Sequence, residues 1–171
     1  MRKSAEEFGS GAKNTLRRTR AVRYIVEAAV IAAMYAAITI LIPGGSGQIQ
    51  IRVAEALSVL AFFTPAAIPG LFIGCLTANI FIGFGIYDIV FGSLASLIAA
   101  YLTRKMPSKL LAPLPPVLVN AVIVAFVLNA TLNVPLLATM GFVALGEGVA
   151  CYGLGYPLML ALEKHRGRLF K

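Results

Sequence analysis

The sequence predicts an all-α, polytopic membrane protein with six transmembrane helices and both termini in the cytoplasm. Hydrophobic residues make up 59% of the chain, charged residues only 13%, and the mean hydropathy is +0.86. A soluble domain has roughly 45–50% apolar and about 25% charged residues. Six helices of about 20 residues need roughly 120 residues, which fit within 171 residues with short loops. The length therefore excludes a second, catalytic domain of ordinary size.

The positive charges support this topology because they are grouped. Fourteen of the fifteen Lys and Arg residues lie in the ranges 2–23, 104–109 and 164–171, and only Arg52 lies apart. Such grouping is typical of cytoplasmic loops and tails under the positive-inside rule. We therefore predict a disordered basic leader (1–21), a membrane domain (22–163) and a basic tail (164–171). The net charge of +8 then reflects topology rather than nucleic-acid binding.

The predicted helices follow from apolar segments separated by helix breakers. The first ends at the cluster Pro43–Gly47, the second at Thr64-Pro65 and the third at Gly83, and such residues mark turns. The six segments are Val22–Ile42, Arg52–Phe63, Ala66–Ile82, Asp88–Thr103, Leu111–Ala130 and Pro135–Leu162.

The second segment is short for a transmembrane helix. At 1.5 Å per residue, Arg52–Phe63 spans about 18 Å, less than the roughly 30 Å of the hydrocarbon core. Segments two and three could instead form a re-entrant pair, and the chain would then cross the membrane four times. Both arrangements keep the basic termini on one side.

Several polar residues interrupt the apolar segments, all in the outer half or near the midplane of the predicted bundle. A charge at the centre of a membrane helix costs about 2.5–3.5 kcal/mol on insertion scales, so such residues face a protein interior or a cavity. Their one-sided distribution predicts a solute pocket open to the outside. The residues are Gln50, Arg52, Glu55, Asn79, Asp88, Asn120 and Glu147.

These residues differ in how well a purely structural role explains them. Glu147 lies about 18 Å along helix six, too deep for a cap or for snorkelling. Arg52 and Glu55 are three residues apart, so they can also form a simple intrahelical pair. Asp88 can cap helix four, and Asn79 and Asn120 can form interhelical hydrogen bonds.

Helix one carries two columns of alanine at a spacing of four residues. Small residues at this spacing allow another helix to approach closely. The columns therefore predict either packing within the chain or a docking face for a partner subunit. Their members are Ala28, Ala32 and Ala36, and Ala29, Ala33 and Ala37.

Three segments carry a family resemblance: IQIRVAEALSVLAFFTPAAIPGLFIGCLTANIFIGFGIYDIVFGSLASLIAAYLTRKM, LAPLPPVLVNAVIVAFVL and GEGVACYGLGYPLMLALEK. They resemble the queuosine-precursor transporter family of energy-coupling factor S components. The alanine columns are similar to the motif by which S components dock onto the transmembrane T component. The resemblance implies a multi-pass subunit in a prokaryotic plasma membrane, which captures its substrate outside and works with a T component and two ATPase subunits.

The implied substrate is 7-aminomethyl-7-deazaguanine, 7-cyano-7-deazaguanine or queuine, and no cofactor or metal is implied. A carboxylate such as Glu147 can accept the adjacent N1–H and 2-amino donors, and Asn120 can serve the O6 edge. Asp88 or Glu55 can pair with an aminomethyl cation, and Phe81, Phe84 or Tyr87 can stack on the ring. The loop Pro43–Gln50 is either a gate over the pocket or a flexible connector.

Three other functions compete with this interpretation. The chain could be an S component for another vitamin, or an autonomous, oligomeric proton-coupled carrier that uses Glu147 and Asp88 as proton relays. An enzyme is disfavoured because the only histidine, His165, lies in the basic tail. The chain also lacks a G-x-x-x-x-G-K-[ST] loop, so ATP hydrolysis would come from partner subunits.

Overall fold

The computed structural model describes residues 2–42, 52–83 and 85–165, the first stretch by its backbone alone up to residue 15. The predicted gate Pro43–Gln50, Phe84 and the tail after His165 lie outside these residues. Within them the chain forms six helical segments. They are α1 (Arg2–Leu41), α2 (3-10 helix Val53–Val59, then α-helix Leu60–Phe63), α3 (Ala67–Ile82), α4 (π-helical turn Asp88–Gly92, then Ser93–Arg104), α5 (Leu114–Leu132) and α6 (Leu136–Lys164).

Helix α1 begins at Arg2 and not at Val22, so the leader predicted to be disordered is helical along its backbone. The prediction rested on the missing apolar periodicity of this segment. Periodicity, however, reports whether a helix has a face to bury, and the leader is rich in Ala, Glu, Lys and Arg. These residues have high helix propensity, so the segment continues the membrane helix without needing a buried face.

The helix ends follow the breakers in the sequence, with shifts of a few residues. Gly83 ends α3 with a φ of 80°, and Asn133 ends α5 with a φ of 53°. Glycine and asparagine accept this left-handed conformation at a helix C-terminus most readily. Helix α5 begins at Leu114 rather than Leu111, directly before Pro115 and Pro116, because proline fits the first helical turn, where its missing N–H costs no hydrogen bond.

Helix α6 contains a π-helical turn at Val149–Gly155, between α-helical parts at Leu136–Gly148 and Tyr156–Lys164. A Cβ atom on Gly155 would lie 3.0 Å from Val59 Cγ1 and 3.1 Å from the Ala56 carbonyl oxygen. Helix α6 therefore lies very close to α2 at this glycine. The contact holds α2 against the π-helical turn, which begins two residues after Glu147.

Many large apolar side chains lie on the outside of the bundle, among them Ile80, Phe81, Phe126 and Leu137. Small residues and polar groups are frequent inside it. Within the described part of the chain, three helices are long and apolar enough to cross a membrane, namely Leu16–Leu41, Leu114–Leu132 and Leu136–Lys164. The all-helical membrane fold is thus confirmed, and six complete crossings stay a prediction.

Several contacts bring the positively charged segments to one end of the bundle. The Tyr24 hydroxyl lies 3.5 Å from the Pro65 carbonyl oxygen, and Arg104 Nη1 donates to the Phe62 carbonyl oxygen at 3.2 Å. Lys109 forms an ion pair with Glu163. We call this region the basic end, which comprises Arg20, Arg23, Arg104, Lys105, Lys109 and Lys164.

Candidate functional site

One of the predicted site residues contacts, in the interior, a residue that the sequence analysis did not include. Tyr35 of α1 is completely buried, and its hydroxyl donates a hydrogen bond to the carboxylate of Glu55 on α2. Glu55 is itself buried within the 3-10 part of α2. The contact therefore brings a carboxylate and a phenol together where water has little access.

Asn120 of α5 connects this carboxylate to a second one. Its side chain lies close to Glu55 and also to Glu147 of α6 and interacts with both, and Ser96 of α4 also lies close to Glu55. Glu147 and Asn120 are 2% and 3% exposed, which confirms that both face the protein interior. Residues from five of the six described helical segments thus converge on the two carboxylates.

Arg52 supplies the positive charge of this region. It precedes α2 and interacts electrostatically with Glu55 and Glu147. A desolvated charge is tolerated in a membrane protein only when opposite charges or hydrogen bonds compensate it. We refer to Tyr35, Arg52, Glu55, Asn120 and Glu147 as the polar cluster.

The thiol of Cys151 lies against the polar cluster, one helical turn beyond Glu147. Its Sγ atom is 3.9 Å from Glu147 Oε2, 3.6 Å from the Glu55 carbonyl oxygen and 3.9 Å from Ser58 Oγ. Cys75 and Cys151 are both free and buried, as expected for small packing residues. Cys151 therefore closes the side of the cluster that faces α2.

Asn79 and Asp88 lie beside the polar cluster rather than within its hydrogen bonds. Asn79 Nδ2 donates to the Asp88 carbonyl oxygen at 3.0 Å and so holds the π-helical turn that begins α4. Its Oδ1 atom is buried and has no hydrogen-bond partner among the described residues. The Asp88 carboxylate is half-buried and interacts electrostatically with Arg52.

Two of the three aromatic residues predicted to stack on a ligand ring lie on the outside of the bundle. Tyr87 is exposed, and its ring lies parallel to that of Phe91 with a centroid separation of 6.4 Å. Phe81 is also exposed. Phe84 and Gln50 fall outside the described residues, so their roles stay predictions.

The two alanine columns of α1 have different surroundings. Ala28 and Ala36 are buried and Ala32 is half-buried, whereas Ala29, Ala33 and Ala37 are exposed. A Cβ atom on Gly70 would lie 2.8 Å from the Ala28 carbonyl oxygen, and one on Gly74 would lie 2.8 Å from that of Ala32. The first column therefore packs against α3, and the second faces outward.

Four contributors to the site were missing from the sequence analysis, namely Tyr35, Ser58, Ser96 and Cys151. Serine and cysteine in apolar helices give no distinctive signal because they are common packing residues. Tyr35 could have been found, since it lies on the same face of α1 as Ala28 and Ala32. A tyrosine on a helix face lined by alanine indicates an interior position for its hydroxyl.

Comparison with known proteins gives one family match. The family model described as QueT transporter matches residues 25–164, which include every described member of the polar cluster and both alanine columns. No curated protein and no solved structure matches the chain significantly.

Proposed function

Because this chain belongs to the QueT transporter family, a family of transport proteins, we propose that it is the substrate-binding S subunit of an energy-coupling factor importer. In this proposal it captures a queuosine precursor at the outer face of a prokaryotic plasma membrane. A transmembrane T component and two ATPase subunits then drive uptake. The chain itself performs no catalysis.

The observation that carries the proposal is the burial of Glu55, Asn120 and Glu147 together inside an apolar helical bundle. Burying two carboxylates costs free energy that a purely structural core avoids by using apolar residues. Ionisable residues inside a membrane domain are therefore best explained by binding or transport. A compact solute with several hydrogen-bonding groups is the ligand that such a cluster suits.

A 7-deazaguanine ring has the matching groups. Its N1–H and 2-amino donors are adjacent, so the Glu147 carboxylate can accept both in a bidentate arrangement. Asn120 offers an amide that can donate to the ring O6 atom. The unpartnered Oδ1 of Asn79 offers a further acceptor for a ligand N–H at the edge of the site.

The charges favour the aminomethyl form among the candidate substrates. A bound cation would favour the ionised form of both carboxylates, which gives the polar cluster two negative charges against the single positive charge of Arg52. An aminomethyl cation would neutralise the difference, with Glu55 or the half-buried Asp88 as its partner. The cyano compound carries no such cation, and queuine has a larger substituent on its amine.

The outward column Ala29, Ala33 and Ala37 is the docking face in this proposal. Small exposed side chains on a membrane helix allow a second helix to pack against the backbone. The inward column is already packed against Gly70 and Gly74. The T component would therefore contact a side of α1 that is about 100° around the helix from the side that packs against α3.

The test is equilibrium binding of 7-aminomethyl-7-deazaguanine to the purified protein in detergent, with guanine and riboflavin as controls. We expect tight binding of the deazaguanine alone. Glu147→Gln should weaken it by about tenfold to a hundredfold, since a charged hydrogen bond contributes about 1.5–3 kcal/mol. Ser93→Ala is the matched control, because Ser93 is buried but donates to the Ile89 carbonyl oxygen outside the cluster.

Other outcomes would contradict parts of the proposal. Tight binding of riboflavin or another vitamin would overturn the substrate and keep the S subunit. Uptake into vesicles without any ATPase subunit would instead support an autonomous proton-coupled carrier, in which Glu147 and Asp88 exchange protons. Unchanged affinity in Glu147→Gln would exclude the bidentate contact.

A further inference from the structure

A second polar site lies at the basic end, well away from the polar cluster. A cavity of about 520 Å³ opens between α1 and the turn that joins α2 to α3. Its lining includes Thr19, Arg20, Arg23, Tyr24, Glu27 and Thr64. We call it the cationic cavity, and nothing in the proposed capture of a solute at the outer face uses it.

The hydrogen bonds of Glu27 give this cavity a defined shape. Glu27 accepts from Arg23 Nε at 2.9 Å through Oε1 and from Thr64 Oγ1 at 2.9 Å through Oε2. Thr64 Oγ1 in turn accepts from the Ala66 backbone N–H at 3.3 Å. The carboxylate thus ties α1 to the turn between α2 and α3 and positions the Arg23 guanidinium at the cavity wall.

The charge of the cavity suits a singly charged anion. Two arginines and one glutamate line it, which leaves a net charge of +1. Arginine presents several N–H donors in a planar arrangement that matches phosphate oxygens. A phosphodiester has one negative charge and two such oxygens, so it fits this lining better than a doubly charged phosphate does.

An apolar groove of about 340 Å³ adjoins the cationic cavity, and Glu27 and Thr64 line both. The groove is lined by residues of α1, α2 and α6, among them Val26, Val30, Leu60, Leu158 and Leu162. Val30 lies ten residues after Arg20, about 15 Å along the helix. A hydrocarbon chain attached to a phosphate in the cavity would reach it.

We propose that the cationic cavity and the apolar groove together bind one anionic phospholipid of the leaflet at the basic end. The phosphodiester lies against Arg20 and Arg23, and one acyl chain lies in the groove between α1 and α6. The pairing of a charged cavity with an apolar groove selects a lipid over a free anion or an uncharged hydrocarbon. This inference is independent of the solute that the polar cluster binds.

The chain has no tryptophan, so a single introduced indole can report on the groove. Val30→Trp places it in the groove, and Ile98→Trp places it on the exposed outer face of α4. Each full-length variant is reconstituted in two kinds of phosphatidylcholine vesicle. One kind contains phosphatidylglycerol with brominated acyl chains, and the other contains phosphatidylcholine with brominated acyl chains. Quenching of the indole then measures which lipid occupies each position.

For Val30→Trp we expect brominated phosphatidylglycerol to bind about fivefold more tightly than phosphatidylcholine, the effect of roughly one arginine near an anionic lipid. Arg20→Gln should abolish this preference, and Arg20→Lys should retain most of it. Arg18→Gln is the matched control, because Arg18 is exposed on the same helix but does not line the cavity. Ile98→Trp should show no preference.

Three results would overturn the proposal. An equal preference at Val30→Trp and Ile98→Trp would mean that anionic lipid surrounds the protein without a specific site. Loss of the preference in excess inorganic phosphate would mean that the cavity binds a free anion. Retention of the preference in Arg20→Gln, with Arg18→Gln unchanged, would exclude the assigned headgroup contact.

Discussion

Tyr35 of α1 donates its hydroxyl to the carboxylate of Glu55 on α2, and both side chains are buried. Tyr35 lies between Ala33 and Ala37 in the sequence, which form part of the outward alanine column. Tyr35 therefore belongs to the polar cluster, while Ala33 and Ala37, two residues away on either side, are exposed. Because Tyr35 and the proposed docking face belong to the same helix, a structural change in the polar cluster can be transmitted to that face through α1.

Replacing Tyr35 with phenylalanine tests this relationship. Tyr35→Phe keeps the ring and leaves Glu55 without one of its donors, so we expect a loss of about 1–2 kcal/mol in stability. Substrate affinity should fall as well, because Glu55 is no longer held in place. Thermal unfolding and ligand binding measure the two effects. Tyr101→Phe, an exposed tyrosine on α4, is the control, and equal behaviour of both variants would contradict the prediction.

Gly74 permits the close approach of α1 and α3, so Gly74→Ala should destabilise the bundle. Its new Cβ atom would lie 2.8 Å from both the Ala32 carbonyl oxygen and Tyr35 Cβ. Backbone atoms cannot move away cheaply, and overpacking of this kind costs about 1–3 kcal/mol. Chemical or thermal unfolding in detergent measures the loss.

Gly141→Ala is the matched control for Gly74→Ala. Gly141 also lies in a helix, but a Cβ atom there has no neighbouring atom within 4 Å. Alanine has higher helix propensity than glycine, so this variant should keep or slightly raise the stability. A similar loss in both variants would show that close packing does not limit the position of Gly74.

The outward alanine column should tolerate enlargement in the isolated subunit but not in the complex. Ala33→Leu adds volume on an exposed face, so we expect unchanged substrate binding and a loss of co-purification with the T component. Ala36→Leu enlarges a buried position instead and should destabilise the subunit itself. Intact complex formation by Ala33→Leu would contradict the assigned docking face.

Glu147 and Asn120 should act together in ligand binding, because their buried side chains interact within the polar cluster. In a double-mutant cycle with Glu147→Gln and Asn120→Ala, the coupling free energy for substrate binding should be about 0.5–3 kcal/mol. The same cycle with Ser93→Ala in place of Asn120→Ala should give additive effects within about 0.5 kcal/mol. Additivity in both cycles would mean that Asn120 and Glu147 bind the ligand separately.

The burial of Glu55, Asn120 and Glu147 inside the bundle could be predicted from the sequence. A carboxylate in the middle of an apolar segment has no favourable environment except the protein interior, so its sequence position indicates its burial. The same argument cannot place Tyr87, because an aromatic ring is stable in lipid and in a pocket alike. The structure places Tyr87 on the outside, beside Phe91.

Hydropathy, charge grouping and helix breakers by themselves determined that this chain is an all-helical membrane protein, because each depends on local composition. They did not reveal that Tyr35 contacts Glu55 or that Asn120 connects two carboxylates. Only the tertiary structure separated the two alanine columns, since the glycines of α3 select which one is buried. Helix periodicity defines the faces of a helix, and the neighbouring helices decide what each face contacts.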